Sequence, residues 1–299
     1  MVEHAHAATQ AVVTLDVALP GIVWGWMITL NMWAKSIGTG VILVGVYLLK
    51  KYGDRVASVK TSMPVVSFIF LNIFLLFTLL DLHHPFRMLN IFLHPHWTSA
   101  ITVGAWLATI LTGIIFVMAA GRLLHKLDDE PFNRLMWAAF IFAIPVTLYT
   151  ATILGEAAAR ELWQTPTELF QMAMAAFIGG SATYLILGVG DQNVKRDLGI
   201  VLAVSASLSL IVYLGEYYFG AMKAEEVAAT IAFVKEGGAY HTMFWVGQTL
   251  GYILPIVLVI FGLRTKSSSL LALASVLALA GLWIAKHVWL VIPQLMNLS

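Results

Sequence analysis

The sequence predicts an all-α integral membrane protein of eight transmembrane helices, and three observations lead there. Its 299 residues are 60% hydrophobic and only 11% charged, about half the charged share of an ordinary soluble domain. Mean hydropathy is +0.86. The apolar residues are also gathered into runs of roughly the 20 residues needed to cross a bilayer core. Backbone groups in lipid must be satisfied within their own segment, so such runs fold as helices. They are too long and unbroken for the alternating strands of a membrane barrel.

Residues 1–20 are polar, contain histidines and lack the basic region of a cleavable signal peptide. This N-terminal segment is expected to stay outside the membrane, with the first helix retained as the insertion signal. The spans are expected at 22–49, 63–82, 98–124, 135–156, 170–190, 198–222, 242–263 and 270–296. Eight helices can group as two four-helix bundles, 21–157 and 158–299.

Lysine and arginine fix the expected orientation. Lys50, Lys51, Arg55 and Lys60 follow the first span, Arg122, Lys126 and Arg134 the third, Lys195 and Arg196 the fifth, Arg264 and Lys266 the seventh. The opposite loops hold Arg87, Arg160, Lys223 and Lys235. The basic side is expected to be cytoplasmic, which puts both termini outside.

Several function classes drop out. The chain has no cysteine, so it ligates no iron–sulfur cluster or c-type haem and forms no disulfide. A net charge of +1 gives no reason to expect nucleic acid. His287 is the one histidine clearly within a span, while His83, His84, His94, His96 and His241 gather at the outer ends, so a bis-histidine haem is not expected. The spacing of the four histidines in 81–97 matches no zinc pattern, and no metal site is assigned.

Ionisable residues inside spans are costly and point to function. Lys35 lies near the middle of the first run, on one face with Asn31 and Gly38 through their i, i+4 and i+7 spacing. A structural polar patch is the plainer reading of that face. Gly38 and Gly40 permit close helix approach. Glu156 ends the fourth run, with Tyr149 seven residues earlier. A phenol and a carboxylate on one stripe can bind a carbonyl and move a proton; alternatively Glu156 pairs with Arg160. Glu216 lies near an outer helix end and Lys286 lies deeper, with a buried salt bridge between them as one expectation. Gln248 and Tyr252 are expected to make packing hydrogen bonds.

The densest polar stretch is Asp81, Leu82, His83, His84, Pro85, Phe86, Arg87, then Asn90, His94, Pro95, Ser99 and Gly104, Ala105, Trp106. With Trp24, Gly25, Trp26 and Gly38, Thr39, Gly40 before it, Tyr149, Thr150 and Leu162, Trp163, Gln164, Thr165, Pro166 after it, and Lys286 with Gln294 last, the chain resembles the NrfD/PsrC family. These are membrane subunits of polysulfide reductase and related respiratory molybdoenzymes. It departs from the family where His83 and His84 replace Gly-Arg, where Asn31 stands at the place of a quinone-binding histidine, and at Lys35.

The resemblance implies a quinone site (menaquinone or ubiquinone) in the first bundle near the outer face. Electrons would pass between quinol and a ferredoxin-like iron–sulfur subunit docked outside, and on to a molybdopterin catalytic subunit, in the cytoplasmic membrane of a prokaryote. Tyr149 and Asn31 would hold the quinone oxygens, Lys35 and Glu156 would handle charge or protons, and His84 and Arg87 would shape the mouth under the 81–97 segment. The competing readings are a proton-conducting or secondary transport protein, and a structural anchor with an inactive quinone pocket.

Overall fold

The computed structural model describes residues 21–296; the N-terminal segment 1–20 lies outside the described residues. Six long helices come first: α1 Trp26–Tyr52, α2 Val59–Leu80, α3 Ala100–Leu123, α4 Asp129–Glu156, α5 Thr165–Ile186 and α6 Gln192–Phe219. A shorter helix, α7 Glu225–Lys235, precedes α8 Ala239–Gln248. A π turn, Thr249–Ile253, joins α8 to α9 Leu254–Thr265 as one continuous rod, and α10 Ser268–Val291 closes the chain. Eight of these units are long and apolar enough to cross a membrane, α8 and α9 counting together. Among the described residues there is no strand.

The observed helices outrun the expected spans where polar turns project past the apolar core. α2 starts at Val59 and carries a buried Pro64 in its second turn, and α4 starts with Asp129 and Glu130. The stretch between the spans expected at 198–222 and 242–263 contains α7. Its break falls at Gly237 and Gly238, whose φ values of +103° and +85° suit residues without a Cβ.

α1 and α5 are the central helices. In their most apolar windows 78% and 67% of residues are buried, against 39% or less in the other spans. The sequence explains the contact. A Cβ on Gly40 would overlap the carbonyl of Ala176, and one on Gly180 would overlap the carbonyl of Gly40. Lipid offers no hydrophobic drive between helices, so packing of small residues decides which backbones meet. The same device joins the seventh span to α10, where Gly251 lies against Gly281 and Gly247 against Ala285. Around the centre, α1 packs on α2, α4 and α10, and α5 on α4, α6 and α10.

The two ends of the helix array differ chemically. At the basic face, ion pairs tie separate loops together: Lys51 to Asp197, Arg55 to Asp191, and Lys60 and Arg122 to Asp129. Asp191 also caps α6, accepting from the backbone N–H of Asn193 (3.0 Å) and Val194 (3.2 Å). The Val194 N–H, and then the Arg55 side chain, hold its carboxyl below the usual carboxylate range.

The opposite, histidine face carries the 81–97 segment, the 157–164 loop, α7 and the final turn Ile292–Leu295. Gln294 stitches this end to the start of α1, accepting from Val23 and Trp24 N–H (3.0 and 2.9 Å) and donating to the Trp24 carbonyl (2.9 Å).

Candidate functional site

A buried polar layer lies across α1 to α4. Lys35 on α1 is fully buried. Its amine donates to the hydroxyl of Thr150 on α4 and stands 4.7 Å from the centroid of the Tyr149 ring. One turn away on α1, Asn31 donates its amide hydrogens to the Phe74 carbonyl (3.0 Å) and the Thr78 hydroxyl (2.5 Å) of α2. Its carbonyl oxygen is thus the part left to act as an acceptor. α3 contributes a gap rather than a group. A Cβ on Gly104 would overlap the ring carbons of Tyr149, so the missing side chain seats the phenol.

The six residues singled out in the sequence fall into two sets. Asn31, Lys35 and Tyr149 share this layer. Glu156 is exposed at the end of α4. The pairing of Glu156 with Arg160 is not observed: Arg160 instead donates to the carbonyls of Pro293 (2.6 Å) and Met296 (2.7 Å). His84 and Arg87 are exposed at the histidine face, with Arg87 in the short helix Pro85–Leu89. The segment that bears them packs on α3 through Phe92 and Trp97, whose rings lie 5.4 and 5.9 Å from that of Trp106. The Trp106 indole N–H is buried beneath them without a partner.

The expected salt bridge between Glu216 and Lys286 is replaced by two other arrangements. Glu216 pairs with Lys223. Lys286, on α10, stands 3.4 Å from the Met172 sulfur on α5. Glu168 accepts from the Trp289 indole at 3.0 Å. The packing hydrogen bonds expected of Gln248 and Tyr252 are absent: the Gln248 amide and the Tyr252 hydroxyl are buried and unpartnered. Residue-level reading of the sequence missed Thr150, Gly104 and Glu168 as site residues. Glu168 and Gln171, polar and one turn apart in an otherwise apolar run, were the available signal.

Above this layer, at the histidine face, opens a polar cleft of about 270 Å³ lined by Arg160, Glu161, Trp163, Gln164, Thr165 and Lys223. Burial lowers the Arg160 guanidinium from its usual value and raises the Glu226 carboxyl, each partly offset by the other's charge. Among the described residues, no three histidine or carboxylate groups gather where they could hold a metal ion.

Eight apolar helices, two of them central, with a buried lysine–threonine–tyrosine layer between α1 and α4, define an integral membrane protein. The family described as polysulphide reductase, NrfD, matches residues 17–297, nearly the whole chain, and the chain belongs to that family. Membership makes it a membrane subunit of reductase complexes of that type. No curated protein matches the chain.

Proposed function

We propose that this subunit exchanges electrons between the membrane quinone pool, menaquinone or ubiquinone, and an iron–sulfur subunit that feeds a molybdopterin catalytic subunit. The observation that carries the reading is the Lys35–Thr150–Tyr149 constellation, with Asn31 one turn away and Gly104 seating the ring. The layer fits a quinone chemically. It offers a phenol and an ammonium as donors and an amide oxygen as acceptor, beside an aromatic ring held in a slot. A quinol supplies two electrons and two protons when it is oxidised.

In this reading the Tyr149 hydroxyl hydrogen-bonds one ring oxygen, with Lys35 behind it fixing the local charge and the orientation of Thr150. The Asn31 carbonyl accepts from a hydroxyl, its amide being held by α2. Glu156, at the solvent end of α4, receives protons at the rim, and His84 and Arg87 shape the mouth. The neighbour relations support two four-helix bundles, α1–α4 with the site and α5–α10 beside it, meeting along α1 and α5. We place the basic face in the cytoplasm on the positive-inside rule, in a prokaryotic inner membrane. The histidine face and both termini then look outward, where the iron–sulfur subunit docks over the 81–97 segment and the cleft.

The test is a titration of the purified complex with a quinone analogue. Saturable binding that weakens in Lys35→Met supports the reading. No binding by the wild type would leave a structural anchor with an inactive pocket.

A further inference from the structure

The connection between α2 and α3 carries a feature that the buried layer does not use. Its backbone winds as a tight helical turn, Pro85–Leu89, that runs straight into one α turn, Asn90–Leu93. Residues three or four apart in such a rod share a face. Three stripes result. Met88, Ile91 and Phe92 are partly buried, and the Phe92 ring meets that of Trp106 on α3. Arg87, Asn90 and His94 form an exposed polar stripe. Phe86, Leu89 and Leu93 form an apolar stripe that no described residue covers, being 95%, 58% and 69% exposed.

Two apolar stripes and one polar stripe make the rod amphipathic. A rod of that pattern lies flat at a membrane–water boundary with its apolar side down. Its place in the fold favours lipid, rather than a protein, on the open apolar stripe. The spans it connects, α2 and α3, are the least enclosed, with 28% and 33% of their most apolar windows buried. Leu76 and Leu80 in the last turns of α2, and Ile101 in the first turn of α3, are exposed. The stripe thus continues the apolar surface that these spans present to acyl chains. Aromatic residues mark the level. Trp97 follows the rod, Trp26 packs edge-on against Phe77 of α2 at 5.8 Å, and both indoles are exposed. Tryptophan gathers where acyl chains give way to headgroups. A partner approaching from water meets Arg87, Asn90 and His94 instead.

We propose that residues 85–93 form an in-plane membrane anchor. Phe86, Leu89 and Leu93 sit among acyl chains just below the headgroups, and Arg87, Asn90 and His94 turn to the headgroups and water. The anchor ties the 81–97 segment to the bilayer at the perimeter of the helix array. It holds whether or not the chain binds a quinone.

The chain has no cysteine, so a nitroxide label can be placed on one chosen residue. Full-length Leu93→Cys and Asn90→Cys are labelled in vesicles of phosphatidylethanolamine and phosphatidylglycerol. Collisions with oxygen, which concentrates among acyl chains, are compared with those of a water-soluble nickel chelate. The label at 93 should show an oxygen-to-nickel ratio several-fold above that of the label at 90. Equal ratios would overturn the anchor. If Leu93→Cys does not fold, Leu89→Cys decides by the same comparison. The second measurement uses the intact complex in native membranes with Phe86→p-benzoylphenylalanine. Illumination should attach phospholipid to this chain. An adduct with a polypeptide instead, whether another subunit or residues 1–20 of the same chain, would overturn the anchor. So would lipid labelling no greater than the same probe gives in place of Asn90.

Discussion

The amine of Lys35 stands 4.7 Å from the centroid of the Tyr149 ring and donates to the hydroxyl of Thr150, the next residue in the chain. A buried ammonium beside an aromatic face gains from the ring quadrupole, and more so when desolvated. The contact holds α1 against α4 and fixes the phenol at one depth in the bundle. It also explains why a lysine is tolerated at a fully buried position within a span.

Gly104 should be as sensitive as any charged residue of the site. A Cβ there falls onto the Tyr149 ring, so Gly104→Ala must push the phenol away from Lys35. We expect quinone-analogue affinity to drop by about tenfold or more, the cost of displacing one such contact being on the order of 1–3 kcal/mol. Gly113, on the same helix with open space around it, is the control. Gly113→Ala should leave affinity unchanged and raise the thermal midpoint through helix propensity.

The α1–α5 crossing has no slack. The three atoms that a Gly40 side chain would meet first are all backbone atoms of α5, the Ala176 carbonyl oxygen and carbon and the Gly180 nitrogen. Gly40→Val should therefore destabilise by at least about 1–3 kcal/mol, read as a lower unfolding midpoint in detergent. A wild-type midpoint would show that the helices do not cross there.

Arg160 acts as a clamp on the end of the chain. Its guanidinium satisfies the Pro293 and Met296 carbonyls, and Gln294 between them holds the start of α1. Arg160→Ala should cost roughly 1.5–3 kcal/mol and speed amide exchange at Val23 and Trp24. Arg160→Lys should restore part of the protection, because both carbonyls accept from one guanidinium nitrogen and an ammonium also carries several donors on one nitrogen.

At the basic face, pH should act through Asp191. Its carboxyl is held below the ordinary range by the Val194 N–H and by Arg55, while in the unfolded chain it titrates near 3.9. The folded state then binds fewer protons than the unfolded state. The stabilisation is complete above the ordinary value and fades as pH falls through the folded one. Asp191→Asn should lower the thermal midpoint at neutral pH and flatten its dependence on pH in that acidic window.

Much of the architecture was legible because hydropathy and loop charge act along the chain. The eight spans came from the length of apolar runs, and the match to residues 17–297 bears out the family likeness read from 81–106 and 149–166. What stayed hidden depends on contacts between distant residues. The π turn at Thr249–Ile253 accompanies the approach of Gly251 to Gly281. Glu168 stands in the first turn of α5, and only the fold sets the Trp289 indole against it. The Glu156–Arg160 pair suggested by spacing gave way because the Pro293 and Met296 carbonyls, from the far end of the chain, lie closer to hand.

The central claim is that the Tyr149 hydroxyl takes part in quinol oxidation. The most direct measurement is quinol-dependent turnover of the intact complex with Tyr149→Phe, which keeps the ring over Lys35 and in its Gly104 slot but removes the hydroxyl. The account predicts an assembled complex whose kcat falls by roughly 10²-fold. An assembled complex with wild-type turnover would contradict it.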